Sequence, residues 1–415
     1  VNTTRRFAVI GGGPAGLFAA HHAAKEASAA QVILYERNSR AGRKLLATGS
    51  GQCNITRDAS VEHMLLHYGN NGRFLSHALH SLTPHMTMGL FEAMGLPLVV
   101  RDDDKVFPAS FKASNVLEIL LSQCKTSGVS IIGNQRITEV RYTNGETFEL
   151  YAGETRIDEV AALVVATGGM SYPRTGSTGD GYALAKSLGH HIVPARPALC
   201  GVSIDDKSLS VCSGITLDRV VLTLPDGKTA SGPLLITHTG LSGPVVLDTS
   251  RYLNTGDEIE ICWLPDERGR KRSAKVIEDE LLRLCNSIGN GQLSTAVHRM
   301  GLPMKLSQWL MATVGIDGTR KAAETGRKTL APLARLISEQ RFTISLKGAF
   351  AEAMVTSGGV DLRELDPKTM ESRIVKGLYF AGEVLDIDGD TGGYNLQAAW
   401  STGALAGSSM VRDFT

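Results

Sequence analysis

The sequence predicts an α/β fold in which the two ends of a 415-residue chain build one parallel sheet, with a differently patterned middle inserted between them. Three observations lead there. Phe7 to Ile10 is a short apolar, β-branched run that enters a glycine turn, followed by an Ala-rich helical stretch from Pro14 to Ala30 and a second apolar run from Gln31 to Tyr35. Ala161 to Val165 and Leu378 to Gly382 repeat the pattern of a buried strand running into glycine. Between them, residues 195 to about 265 read as short strands punctuated by turns, and 266 to about 340 as charged amphipathic helices such as Val276 to Leu284 and Thr329 to Ser338. The expected boundaries are 1–192 and 351–415 for the α/β domain, with 193–265, 266–338 and a returning strand at 339–350 for the insert.

Within the first domain, helices are expected at Arg73 to His80, Thr87 to Met94, Asn115 to Ser127 and Tyr182 to Leu188. Strands are expected at Val129 to Ile132, Gln135 to Tyr142 and Phe148 to Tyr151, the last two joined by an Asn144-Gly145 hairpin signal. Leu396 to Val411 is a closing helix rich in Ala and Gly.

Composition narrows the function classes. A net charge of +1 argues against a polyanion-binding surface, so nucleic acid is not expected as a partner. No apolar run approaches the roughly 18 residues needed to span a bilayer, so no membrane association is expected. Arg5 and Arg6 before an apolar stretch are not read as an export signal, because the nucleotide motif needs that same stretch. The six cysteines contain no C-x-x-C pair, which fits neither a disulfide framework nor a metal site, and a reducing cytoplasm is the expected location.

Gly11, Gly13 and Gly16 form G-x-G-x-x-G directly after a strand and at the start of a helix. In that context the first glycine permits a tight turn, the second lets backbone approach a pyrophosphate, and the third allows close helix-to-strand packing. Pro14 and Ala15 open the helix, whose N-terminus offers free N–H groups and partial positive charge to phosphate. Glu36 ends the next strand 20 residues after Gly16, where a carboxylate can accept the hydroxyl protons of an adenosine ribose and would repel a 2′-phosphate. FAD and NAD both remain compatible with this half of the pattern.

Gly382-Glu383 ends a C-terminal strand, and Gly392-Gly393-Tyr394-Asn395 leads through Leu396 into the last helix. Glu383 can hold ribityl hydroxyls, and the helix start can stabilise negative charge on a reduced isoalloxazine. Ala166-Thr167-Gly168-Gly169 brings backbone close to the cofactor. In Gly176 to Gly181, Thr178 or Asp180 is a candidate N-cap.

These segments, together with Gly42-Arg43-Lys44, Gly49 to Asn54 and Thr237 to Pro244, resemble the YhiN/BaiN-like family of bacterial FAD-dependent flavoproteins, which includes aminoacetone oxidase. The resemblance spans the whole chain, and Gly-x-Cys-Asn and Gly-Gly-Tyr-Asn are its most distinctive parts. It implies FAD as cofactor, a discontinuous Rossmann-type domain of the glutathione-reductase-like superfamily, and an insert made of a β-barrel and a helical bundle. It further implies that Arg37, Gly42, Arg43, Lys44, Asn54, Ile55 and the backbone of Ile137 join the residues above around the cofactor. The main departure is Gln52, where relatives often carry Arg. The Thr-Gly-Asp-Gly piece also looks like a turn of succinate dehydrogenase and fumarate reductase flavoprotein subunits.

No second strand-G-x-G-x-x-G-helix unit occurs in 190–350, so NAD(P)H is expected only as a transient co-substrate, with oxygen or a quinone-like compound as the other candidate redox partners. The expected reaction is hydride transfer between flavin and a small molecule. The alternative is a flavin-binding protein whose redox state regulates a partner. Candidate catalytic groups are Cys53, as an acid or nucleophile or else an inert buried thiol; His238, as a proton donor or else a structural histidine; and Tyr394, beside the flavin or packing its ring.

Overall fold

The computed structural model describes residues 5–27, 30–412 and 414. Arg6–Ile10 (β1), Gln31–Tyr35 (β2), Ser130–Ile132 (β3), Ala162–Val165 (β4) and Leu378–Phe380 (β5) form a five-stranded sheet in the order β5-β4-β1-β2-β3, every pair parallel. Phe7–Ile10, Val32–Tyr35 and all of β4 and β5 are buried, the continuous apolar pattern of a sheet covered on both faces. Pairing of β5 with β4 brings the two chain ends into one sheet.

Helices Pro14–Glu26 (α1) and Tyr394–Arg412 (α3) bind those ends further, and the small residues of the closing helix are the reason. A Cβ on Gly403 would stand 2.4 Å from the Ala15 carbonyl oxygen, and one on Gly407 would stand 2.1 Å from that of Ala19. The two backbones therefore touch, and the Trp400 ring closes the contact 4.6 Å from Phe18.

Several local bounds shift: the helices expected from Arg73 and from Thr87 begin at Ser76 and at Pro84. The helix after the glycine turn ends at Glu26 rather than Ala30. The strand expected from Gln135 begins at Glu139, because Gln135 donates instead to the Glu36 carbonyl at the end of β2. The hairpin at Asn144-Gly145 forms with both residues at positive φ (55° and 72°), and a third strand, Thr155–Val160, joins it.

By contact density the chain divides into Val1–Pro197 with Phe350–Thr415, and Ala198–Ala349. The second unit is a closed six-stranded barrel, in the order 202–204, 240–242, 229–236, 216–223, 258–262 and 340–347. Between the last two of these in the chain, four helices (274–288, 293–299, 304–313 and 327–339) share an apolar core with the barrel that includes Trp263, Leu281, Leu310 and Leu333. No helix among the described residues is long and apolar enough to cross a membrane.

His21 gives the first unit a pH signature. Its ring is 7% exposed, with Nδ1 3.1 Å from Ser127 Oγ, and its pKa falls to about 4 through burial, then the nearby His22 and Lys25. The unfolded chain takes up this proton near pH 6.5 and the native one only near pH 4. Stability from this group is therefore complete above about 6.5 and falls by about 3 kcal/mol as pH drops to 4. Thermal melts of His21→Gln across that window should show a flatter profile than the parent; equal slopes would contradict the assignment.

Candidate functional site

All five strands of the main sheet deliver residues to one cleft at their C-terminal ends. Gly11, Gly13, Pro14 and Ala15 follow β1, and Glu36 and Arg37 follow β2. Ile137 comes after β3, Ala166, Thr167 and Gly168 follow β4, and Gly382 and Glu383 follow β5. Gly42, Arg43 and Lys44 from the loop after β2, with Asn395 and Leu396 from α3, also line the wall; the expected Gly16, Asn54, Ile55, Gly169, Gly392 and Gly393 do not. This is where open α/β sheets bind ligands.

The turn from β1 to α1 has space at one glycine and none at another. Gly13, at the N-cap of α1 with no side-chain cap, has no atom within 4 Å of where a Cβ would stand. Gly16 does not line the cleft: its Cβ would stand 1.8 Å from the Gly11 carbonyl oxygen. The first N–H groups of α1 thus face an open cradle, the arrangement that binds phosphate.

Glu36 is buried, and its carboxylate is already engaged: Oε2 accepts from Gly12 N–H at 2.8 Å, and Oε1 accepts from the Asn38 backbone and side-chain nitrogens at 2.7 Å each. These contacts fix its orientation while leaving lone-pair capacity for a hydroxyl. Beside it, Asp180 at the start of helix Asp180–Ser187 (α2) accepts a bidentate pair from Arg136 (2.8 Å each) and a bond from Arg37 Nη1 at 3.1 Å. Burial pushes the Asp180 carboxyl up, but Arg136, Thr178 and Arg37 outweigh it and hold it below the usual range. Arg37 also reaches Thr178, so the Thr-Gly-Asp-Gly turn serves as the anchor of an arginine pair.

At the other end, Lys44 Nζ lies 2.6 Å from Glu383 Oε2 and 2.5 Å from Ser171 Oγ. Glu383 Oε1 accepts from Ser171 Oγ at 2.8 Å and Thr356 N–H at 2.9 Å. Gly169 supports this cluster rather than lining the cleft, since a Cβ there would stand 2.4 Å from Thr356 Oγ1.

Other expected wall residues interlock behind the cleft. With its amide nitrogen facing the Thr56 and Val106 carbonyls (2.8 and 3.1 Å), Asn54 accepts from Gly393 N–H at 3.0 Å. Ile55 is fully buried, its carbonyl taken by Trp400 Nε1 at 2.9 Å. Gly392 and Gly393 press on Arg57 and Thr56, with added Cβ atoms landing at 2.9 Å from the guanidinium and 2.6 Å from the carbonyl oxygen. The two distinctive motifs are thus one clasp, made across 339 residues between Asn54 and Gly393.

The candidate catalytic groups fare differently. Cys53 is fully buried away from the cleft wall, and burial pushes its thiol up to about 12 against a weaker pull from Thr48, so it stays protonated and inert at neutral pH. Tyr394 is also buried, stacked on His67 at 4.4 Å, with its hydroxyl 3.3 Å from His63 Nε2. His238 belongs to the barrel unit, on the turn before strand Gly240–Ser242, with Nδ1 3.1 Å from Ser213 Oγ.

Sequence reasoning missed Asn38, Gln135, Arg136, Ser177 and Thr402 as wall residues. Only Asn38 carried a local signal, a side chain able to turn back on a carboxylate two positions earlier. The residues present fit a flavin dinucleotide: an open glycine turn sits at a helix start, acids lie at both ends, and Thr167 Oγ1 is buried in the wall without a hydrogen-bond partner.

Residues 5–409 match the family model described as HI0933-like protein Rossmann domain. Over 410 residues the chain is 34% identical to the ribosomal RNA dihydrouridine synthase of Haemophilus influenzae, covering 97% of this chain and 98% of that protein. Over 418 residues it is 32% identical to the 3-dehydro-bile acid delta(4,6)-reductase of Clostridium scindens, covering 98% and 99%. Among solved structures, the 3-ketosteroid delta1-dehydrogenase of Sterolibacterium denitrificans shares the fold at TM-score 0.52 and 11% identity, over 99% of this chain and 100% of that one. The sheet ends, the glycine turn and the family match together give the assignment: the chain belongs to the HI0933-like Rossmann-domain family and is an FAD-dependent oxidoreductase.

Proposed function

We propose that this protein is an FAD-dependent reductase that adds two hydrogens across a carbon–carbon double bond conjugated to a carbonyl, with NAD(P)H as the transient reductant. The observation that carries the reading is the continuous cleft from Glu36 to Asn395, joined to what the relatives' names have in common. A dihydrouridine is a uridine that has gained two hydrogens at its ring double bond, and a delta(4,6)-reductase of a 3-dehydro acid saturates bonds in line with a ketone. When bound, FAD supplies the hydride chemistry.

The chain's own residues take the supporting roles. The start of α1 with Gly11 and Gly13 receives the pyrophosphate, and Glu36, oriented by Asn38 and Gly12, receives the adenosine ribose. Glu383, held by Lys44 and Ser171, would hold the ribityl hydroxyls. The N-terminus of α3, beginning Tyr394-Asn395, would stabilise negative charge on the ring through its dipole.

A small molecule remains the substrate class favoured by the near-neutral charge. RNA as the carrier of the double bond is the second reading, favoured by the names of two relatives and contrary to the expectation from charge. The experiment has two arms. Purified protein bleached anaerobically with NADH or NADPH is mixed with conjugated enones and dienones, or with a uridine-containing rRNA transcript, and flavin re-oxidation is followed with product mass. A gain of two hydrogens in either arm supports the chemistry and selects the substrate class; bleached flavin that neither arm re-oxidises would reject it. In parallel, Glu36→Ala and Glu383→Ala are each expected to weaken FAD binding by roughly 10- to 100-fold, the loss of charge-assisted hydrogen bonds. Full flavin occupancy of both variants after dialysis would remove these two roles.

A further inference from the structure

The glycine-rich turn before α3 packs, beside the clasp described above, against a guanidinium whose hydrogen bonding is incomplete. Arg57 lies on the short strand Thr56–Arg57, and its side chain is only 18% exposed. Its Nε is buried and meets no acceptor. The carboxylate oxygen paired with it, Asp104 Oδ2, stands 4.0 Å away on a residue whose own side chain is 63% exposed. That separation supplies some Coulomb attraction but no hydrogen bond. A mostly desolvated charge with an unmet donor is costly, and it contrasts with Arg37 and Arg136 in the same unit, both of which reach the Asp180 carboxylate directly.

Around the guanidinium stand an aromatic ring, a glycine and a second cation, and none of them supplies an acceptor to Nε. The guanidinium carbon is 5.7 Å from the centre of the Tyr394 ring. Gly392 presents no side chain between Arg57 and Lys105: a Cβ there would stand 2.9 Å from Arg57 Nη1 and 3.5 Å from Lys105 Cε. Lys105 is itself tied to Asp103 at 2.7 Å, so Arg57 is the less compensated of the two cations. The exposed His63 completes the group, its Nε2 3.3 Å from the Tyr394 hydroxyl. Burial, His67 and Arg57 together hold the His63 ring below its ordinary pKa, so it reports on charge at this place. Asn395, one residue past Tyr394, lines the cofactor cleft.

We propose that Arg57, bordered by Gly392, Lys105 and His63, is an oxyanion-binding subsite that anchors a carboxylate or phosphodiester of the substrate beside the cofactor cleft. A guanidinium suits this role because its planar fork can donate two parallel hydrogen bonds to one oxyanion. That the oxyanion belongs to the substrate rests on the function proposed above; the subsite itself rests on Arg57.

The test uses the FAD-loaded protein and the ring resonances of His63, assigned with His63→Gln, during titration with acetate and separately with dimethyl phosphate at fixed ionic strength. Saturable shifts with a Kd of about 1–10 mM are expected for at least one probe. Arg57→Gln should weaken binding at least about tenfold, Arg57→Lys should restore part of it, and Asp104→Asn should tighten it severalfold by removing a competing carboxylate. A preference of about fivefold or more for one probe identifies the carboxylate or the phosphodiester as the natural group. No saturable shift up to about 100 mM of either probe, or equal affinity in Arg57→Gln with an unchanged melting temperature, would overturn the subsite. Flavin absorbance and NAD(P)H bleaching are read in the same samples, so loss of anion binding with bleaching intact defeats the subsite and leaves the proposed reaction standing.

Discussion

Gly16→Val should unfold the first unit at a markedly lower temperature, whereas Gly13→Val should leave the apoprotein's melting temperature almost unchanged and abolish tight FAD binding. Both residues belong to the same G-x-G-x-x-G motif, and the difference is steric. At Gly16 a Cβ would stand 1.8 Å from the Gly11 carbonyl oxygen, a backbone atom that cannot rotate away, so strand and helix must separate. Overpacking against backbone at such a place is expected to cost about 4 kcal/mol or more, a fall of roughly 10 °C in melting temperature. At Gly13 the same atom meets nothing within 4 Å, so the fold tolerates it. The added methyl groups would instead occupy the space in front of the α1 N-terminus, and FAD affinity should fall by about 100-fold or more, close to 3 kcal/mol. Differential scanning fluorimetry of apoprotein with flavin titration separates the two effects. A Gly13→Val protein that binds FAD like the parent would mean that the phosphates lie elsewhere.

Gln397→Ala is expected to have the next largest effect, although this residue does not itself line the cleft. Its side chain is fully buried, accepting from Thr56 Oγ1 at 2.6 Å and donating to the Leu82 carbonyl (3.0 Å), Thr87 Oγ1 (2.9 Å) and Ser401 Oγ (2.9 Å). Truncation leaves a cavity and strands the Thr56 and Thr87 hydroxyls, for an expected loss of about 4 kcal/mol. The damage should reach the cofactor. Thr56 is the residue whose carbonyl supports Gly393, and Gln397 holds it from the first turn of α3. Flavin occupancy in Gln397→Ala should therefore drop together with the melting temperature, whereas in Gly13→Val occupancy should drop with the melting temperature of the apoprotein nearly preserved. Intact occupancy in a destabilised Gln397→Ala protein would break the proposed link between the clasp and the cleft.

The differing behaviour of these residues marks how far the sequence could be read. Strand, glycine turn and helix at Phe7 to Glu26, and the acid at Glu36, are set by patterns within some thirty residues, where periodicity and turn sterics act locally. The same holds for β4 and β5, whose apolar runs end in glycine. The Rossmann-type class with an inserted barrel follows from such patterns and from the family resemblance, and the folded chain has both parts. What Gly169, Gly392 and Gly393 do was less legible: expected in the cleft wall, they pack instead against Thr356, Arg57 and Thr56.

By itself, then, the sequence determined the α/β class, the parallel sheet joining both termini, the glycine turn that opens α1 and the acids at either end of the cleft, because each is written in neighbouring residues. Only the tertiary structure decided that Asn54 clasps Gly393, that Arg37 and Arg136 meet on Asp180, that Cys53 is sealed and inert, and that Arg57 is left with an unmet donor. Those outcomes depend on groups tens to hundreds of residues apart. Burial and hydrogen-bond satisfaction belong to the packed interior, and no stretch of chain specifies them alone.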